Sequence, residues 1–185
     1  MMTLFRRMGL GMSGLVVAVV CHLTLGVAAQ AADTAKEFTK PTIDIGMFAQ
    51  DPDRTAAFLT NAIGFRELPS FAVSAELGKK IGLVNNHPFV IRVFTLGEGE
   101  DATRLKVVSL PKVEGKKPDQ KYLESTYGIR YLTLYVTDMT RALERLKAEK
   151  VTLLGESPVD LGGGTLLVAF QDPDGNFIEL IGKRK

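Results

Sequence analysis

The strongest constraint in this chain is that one order of elements occurs twice. From Pro41 the residues PTIDIGMFAQDPDRTAAFLTNAIGF begin with alternation at Ile43, Ile45 and Met47, then turn to apolar positions at Ala56, Phe58, Leu59, Ala62 and Ile63. Period two marks a strand with one buried face, and the later spacing marks a helix packed on one side. Asp51 stands where a helix N-cap belongs, and Gly64 where the helix stops. From Tyr127 the residues YGIRYLTLYVTDMTRALERLKAEKV repeat the order, with alternation from Ile129 to Val136, Asp138 as cap, and Ala142, Leu143 and Leu146 on the helix. The two caps are 87 residues apart, so the chain carries an internal repeat.

Three strand-like runs follow each helix. The spacing predicts them around Phe65–Val73, Phe89–Leu96 and Thr103–Leu110, then around Val151–Leu154, Thr165–Phe170 and Asn176–Ile181. Gly97–Asp101, Gly162–Gly164 and Asp172–Gly175 supply turns. The class is therefore α+β, with a first βαβββ module at 41–110 and a second at 127–185. The charged, proline-bearing linker at 111–126 has little to bury. A module of about 55 to 70 residues makes only a marginal core by itself, so the two are expected to pack into one domain. The first module is longer by about 14 residues near Ser74–His87. Ser74 suits the cap of a short helix bearing Leu77 and Ile81, either a flap over a cleft or a surface decoration. His87, beside Pro88, reads as an exposed loop residue.

Residues 1–31 have the grammar of a signal peptide: Arg6 and Arg7, no charge from Met8 to Ala32, and Ala29-Gln30-Ala31 in A-x-A form. The longest unbroken apolar run, Leu15 to Cys21, is shorter than the roughly 20 residues a membrane span needs. Sec and twin-arginine export both stay open. The expectation is a periplasmic or secreted protein, free of the membrane after cleavage, with 32–40 as a short N-terminal segment. Lys plus Arg number 23 against 21 Asp plus Glu, and the two extra positives are Arg6 and Arg7. The rest of the chain is balanced, which gives no electrostatic case for nucleic acid or an anionic membrane. The single cysteine, Cys21, and His22 fall in the leader, leaving only His87. Cysteine nucleophiles, disulfides and multi-histidine zinc sites are excluded by count.

The run AFQDPDGNFIELIG (Ala169–Gly182), together with the Asp51–Phe65 helix, resembles the vicinal oxygen chelate superfamily. That group includes glyoxalase I, extradiol dioxygenases, methylmalonyl-CoA epimerase and the bleomycin- and fosfomycin-resistance proteins. The resemblance covers nearly all of the chain after the leader. It implies a single glyoxalase-like domain over 41–185, with curled sheets around a cleft. It also implies a metal held by one residue early in each module's first strand and one in each last strand, usually His or Gln and then Glu. Asp44 and Tyr131 lie seven residues before the two caps, Glu179 follows the D-P-D-G turn, and Lys106 takes the equivalent place in the first module. A lysine ammonium has donors and no lone pair, and a neutral phenol is a poor ligand. The resemblance therefore implies a degenerate metal position and no cofactor, with Lys106 between two inward carboxylates in place of the ion. A one-residue slip on the fourth strand would turn Lys106 away and make a divalent metal the alternative.

If these four residues point inward, alternation adds Gly46 and Phe48, Thr133 and Tyr135, Phe177 and Ile181, and Arg104 and Val108 to the lining. Plainer readings exist for several of them. Phe48, Phe177 and Ile181 suit a core, Tyr135 can pack with its hydroxyl at a rim, and Glu179 with Lys106 can be a structural ion pair. The first functional reading is an exported, metal-independent binder of a small organic molecule, contacted by Asp44, Phe48, Arg104, Thr133, Tyr135 and Phe177. The alternative is a glyoxalase-type lyase or isomerase with Glu179 as base and Tyr131 or Lys106 as acid or oxyanion partner. The third is a partner-binding role in which sheet edges pair modules between chains as a homodimer.

Overall fold

The computed structural model describes residues 37–185, so the leader expected at 1–31 lies outside the described residues. The chain forms two units, Met1–Pro41 and Thr42–Lys185. In the first, the described residues 37–41 are a single 3-10 position and bends. Among the described residues no helix is long and apolar enough to cross a membrane.

The second unit contains both repeats. In the first, β1 (Asp44–Phe48) leads to α1 (Pro52–Ala57), which continues as a π-helical stretch over Phe58–Ile63; β2 (Arg66–Val73), α2 (Ala75–Lys80), β3 (Phe89–Thr95) and β4 (Arg104–Ser109) follow. A 3-10 turn at Leu123–Ser125 lies in the connection. The second repeat has β5 (Tyr131–Val136), α3 (Met139–Ala148), β6 (Val159–Gly162), β7 (Thr165–Gln171) and β8 (Phe177–Lys183). The sheet orders are β1-β4-β3-β2 and β5-β8-β7-β6, and in both the first strand runs parallel to the last. These are two four-stranded βαβββ sheets that curl without closing.

The local chemistry explains the helices. The Asp51 carboxylate accepts from the amides of Asp53 and Arg54, and Asp138 from that of Arg141, which satisfies N–H groups that a helix start leaves free. Gly64, at φ 100°, closes the first helix in the left-handed region. Ser74 caps α2 through the Leu77 amide. One strand differs from the sequence expectation. Val151–Leu154 forms only a bridge from Leu153 to Phe170, and the second module's edge strand is Val159–Gly162. All four residues of that edge are exposed, so it lacks the one-sided apolar pattern that drew attention to Val151–Leu154.

One core serves both modules. Leu59, Ala62, Phe94, Leu105 and Val107 from the first bury with Met139, Leu146, Val168, Phe170 and Leu180 from the second. The Phe58 ring stands 6.1 Å from that of Phe170, and Arg145 on α3 donates to the Ile63 carbonyl at 3.0 Å. That guanidinium sits at the carbonyl end of the first helix, where a positive charge is favourable. On the helix side of the first sheet, Arg92 grips Glu67 through two bonds of 2.7 and 2.8 Å and reaches Asp53 at 2.7 Å. The bond to Arg92 holds the Glu67 carboxyl below its usual range.

The D-P-D-G-N turn between β7 and β8 is organised by the buried Asp172. Its carboxylate accepts from the Asp174 amide at 2.9 Å, and from the Asn176 amide and side chain at 2.8 Å each. Desolvation outweighs these bonds and raises its pKa above 3.8. The folded state therefore keeps this proton to higher pH than the unfolded chain does. Its contribution to stability is full below 3.8 and is lost as pH rises through the folded-state value. Asp172→Ala, which strands three donors, should cost about 1–3 kcal/mol. Asp172→Asn should gain on the wild type as pH climbs above 3.8, read by urea unfolding at several pH values. A constant difference across that range would contradict this assignment.

Candidate functional site

The site begins with the pleat. In β4, Leu105 and Val107 are buried under the helices while Arg104, Lys106 and Val108 are half-exposed on the other face; in β8, Ile178 and Leu180 are buried while Phe177, Glu179 and Ile181 are half-exposed. Ile45, Met47, Leu132, Leu134 and Val136 pack against the core, which puts Asp44, Gly46 and Phe48, and Tyr131, Thr133 and Tyr135, on the opposite faces. The ladders are equivalent: Asp44 pairs with Arg104 and Gly46 with Lys106, while Tyr131 pairs with Phe177 and Thr133 with Glu179. Lys106 and Glu179 therefore hold corresponding places in the two modules.

Their chemistry diverges because of what stands opposite. Thr133 faces Glu179 across the ladder and donates its hydroxyl to the Glu179 Oε1 at 2.5 Å. Gly46 faces Lys106 and offers no side chain, so the ammonium reaches along the strand to Asp44, with Nζ 2.8 Å from Oδ2. The two side chains are 33% and 20% exposed. A pair this open to solvent is worth about 0–1 kcal/mol.

The structure thus joins Asp44 to Lys106 and Glu179 to Thr133. It does not ion-pair Lys106 with Glu179, and the picture of a lysine held between two carboxylates is corrected. Each acid sits on its own sheet, no strand of one sheet pairs with the other, and each finds its partner locally. Tyr131 is 52% and Tyr135 80% exposed, both open rather than enclosed. Phe48, Phe177 and Ile181 are not in the buried core either, because strand alternation turns them away from the helices. The Arg130 guanidinium covers the Phe177 ring at 5.8 Å. His87 is exposed.

The donor set does not suit a divalent ion. Lys106 is a cation already bonded to Asp44, the phenol of Tyr131 is a weak ligand, and among the described residues no three His, Cys, Asp or Glu side chains gather.

A concavity beside Phe48 is built by the connection, which packs where the sequence suggested only a tether. Gly115 crosses the Phe48 ring so closely that a Cβ there would lie 2.8 Å from it. Farther on, Gln171 donates to the Gln120 carbonyl at 2.7 Å, Gln120 to Asn176 at 3.3 Å, and Arg130 to the carbonyls of Asp119 and Leu123 at 3.2 and 3.3 Å. Between connection and modules lies a cavity of about 660 Å³ bordered by Phe48, Gln50, Lys117, Gln120, Asp174 and Asn176. A second, of about 420 Å³, lies on the helix side beside Arg54, Phe58 and Asp172. Neither is lined by Asp44, Lys106, Tyr131 or Glu179. Of the residues bordering these cavities, only Phe48 is among the site candidates read from the sequence. The one signal was Gly115 set among charged residues.

A family model for the Glyoxalase/Bleomycin resistance protein/Dioxygenase superfamily matches residues 43–180. The chain belongs to this superfamily, which is the vicinal oxygen chelate group. Among solved structures, a glyoxalase family protein from Bacillus cereus aligns with a TM-score of 0.64 at 16% identity, covering 80% of this chain and 96% of that one. A trypanothione-dependent glyoxalase I from Leishmania major gives 0.53 at 21%, covering 76% and 84%. A glyoxalase/dioxygenase from Nostoc punctiforme gives 0.52 at 19%, covering 77% and 90%. At these identities the likeness is one of fold. No curated protein matches the sequence.

Lys106→Glu places two carboxylates where the ion pair was, so the variant should melt lower than wild type in chelator and recover when Mn²⁺ or Zn²⁺ is added. The wild-type melting temperature should not respond to either ion. A variant equally stable with and without metal would contradict this.

Proposed function

We propose that this protein is an exported, metal-independent member of the superfamily that holds a small organic ligand between its modules. The observation that carries the reading is the 2.8 Å bond from Lys106 to Asp44, a tethered cation at a position where metal-dependent relatives present a ligand to an ion. A lysine there repels a divalent cation while neutralising the acid beside it. Export rests on the leader pattern of residues 1–31. The seam between the modules supplies concave space of a size suited to small ligands.

The lyase or isomerase reading with Glu179 as base draws less support. Proton abstraction beside a carbonyl needs an acid or oxyanion partner near the base. Glu179 takes its bond from Thr133 rather than Tyr131, and Lys106 is engaged with Asp44.

Thermal-shift measurements on small carboxylates, phenols and aldehydes should find compounds that raise the melting temperature by several degrees, since ligand at a hundred times its Kd stabilises by about 2.7 kcal/mol. Lyase and dioxygenase assays should stay silent with Zn²⁺, Ni²⁺, Mn²⁺ or Fe²⁺ added. Turnover that Glu179→Gln abolishes at an unchanged melting temperature would replace the binder with the enzyme.

A further inference from the structure

We propose that the cavity walled by the inter-module connection is a binding site for small organic anions with a planar apolar body. The inference rests on the binder reading above and assigns that binder a place and a ligand class. Its location is distinct from the Asp44–Lys106 pair. Phe48 lies four residues along β1 from Asp44, about 13 Å at the rise of a strand.

Three observations converge on this cavity. The first is size: about 660 Å³ falls in the range of small-molecule sites, which run from roughly 300 to 1,000 Å³. The second is charge. Lys116 and Lys117 both line the space, and neither has a hydrogen bond or ion pair among the described residues. Asp174 also borders it, but its oxygens are occupied by the Gln50 amide at 3.3 Å and the Thr55 hydroxyl at 3.4 Å, at the start of the first helix. Glu114 and Asp174 thus match the two lysines in number, while the two ammonium groups stay unpaired among the described residues. A carboxylate entering here meets two flexible ammonium groups.

The third observation is shape. The Phe48 ring forms an apolar wall that stays 42% exposed although Gly115 crosses its edge. An aromatic face with room beside it suits a flat apolar body. Gln120 on the inner wall adds a buried side-chain oxygen without a partner. An orphaned acceptor of this kind costs on the order of 1–3 kcal/mol. The connection therefore acts as one jaw of the site and the sheet end as the other, and glycine at 115 is what lets the jaw close to this distance.

Indole-3-acetate is a direct probe, since it joins a carboxylate to a flat ring bearing one donor. The chain contains no tryptophan, so fluorescence anisotropy of the indole reports the ligand alone. Titration of the full chain should give a saturable rise that weakens with added salt. Lys116→Glu with Lys117→Glu should lower affinity at least tenfold, and neutral indole-3-ethanol should bind at least tenfold more weakly than the acid. Lys79→Glu with Lys80→Glu, the same charge change placed on α2, should stay within twofold of wild type. Gly115→Ala keeps the lysines but crowds Phe48, and should weaken binding while its circular dichroism remains that of wild type. The proposal is overturned if indole-3-acetate shows no saturable binding, or if the reversal at 116 and 117 leaves affinity within twofold. In either case, small molecules that still stabilise the protein would keep the binder reading alive. One equivalent of tightly held metal would sink that reading whatever the indole titration shows.

Discussion

Everything distinctive about the open faces follows from the two-residue period of a strand under a shared core. Because Leu105 and Val107 must go beneath the helices, Lys106 has to emerge on the other side, and the same rule brings Glu179 out between Ile178 and Leu180. The superfamily's fold thus fixes where two charged side chains stand and leaves their partners to the residues opposite. A hydroxyl opposite Glu179 satisfies it locally; a glycine opposite Lys106 sends the ammonium to Asp44. One position lacking a side chain, Gly46, accounts for much of the electrical difference between the modules.

The helix side does the holding. Apolar residues of both repeats bury in one cluster, Arg145 ties the end of the first helix to α3, and Asp172 shapes the turn that carries Asp174 to the start of the first helix. With stability concentrated there, the opposite faces are free to carry exposed aromatics such as Phe48 and Tyr135 without endangering the fold. The connection then finds its grip at the seam, through Gln120, Arg130 and Gly115, and borders the cavity beside Phe48.

The repeated order of elements and the caps at Asp51, Ser74 and Asp138 were legible in the residues, because each rests on short-range rules of period and capping. The edge strand at Val159–Gly162 was not, since an exposed edge has no one-sided apolar pattern to read. Partners of charged groups were harder still. Counting back from the caps placed Asp44 and Tyr131, and the D-P-D-G turn and the match between the two last strands placed Glu179 and Lys106, but whether Lys106 meets Asp44 or Glu179 depends on the spacing between two separate sheets, which no local pattern encodes. The grip of Gln120 and Arg130 was invisible for the same reason: a polar, proline-bearing stretch looks alike whether it dangles or docks.

We propose that the Lys106 amine, bonded to Asp44, stands where metal-dependent relatives present a ligand to a bound ion, and that no ion is held there. Elemental analysis of the native protein, purified without chelator and dialysed against metal-free buffer, addresses it most directly. The account predicts far less than one equivalent of zinc, nickel, manganese or iron per chain. One firmly held equivalent of any of them would contradict it.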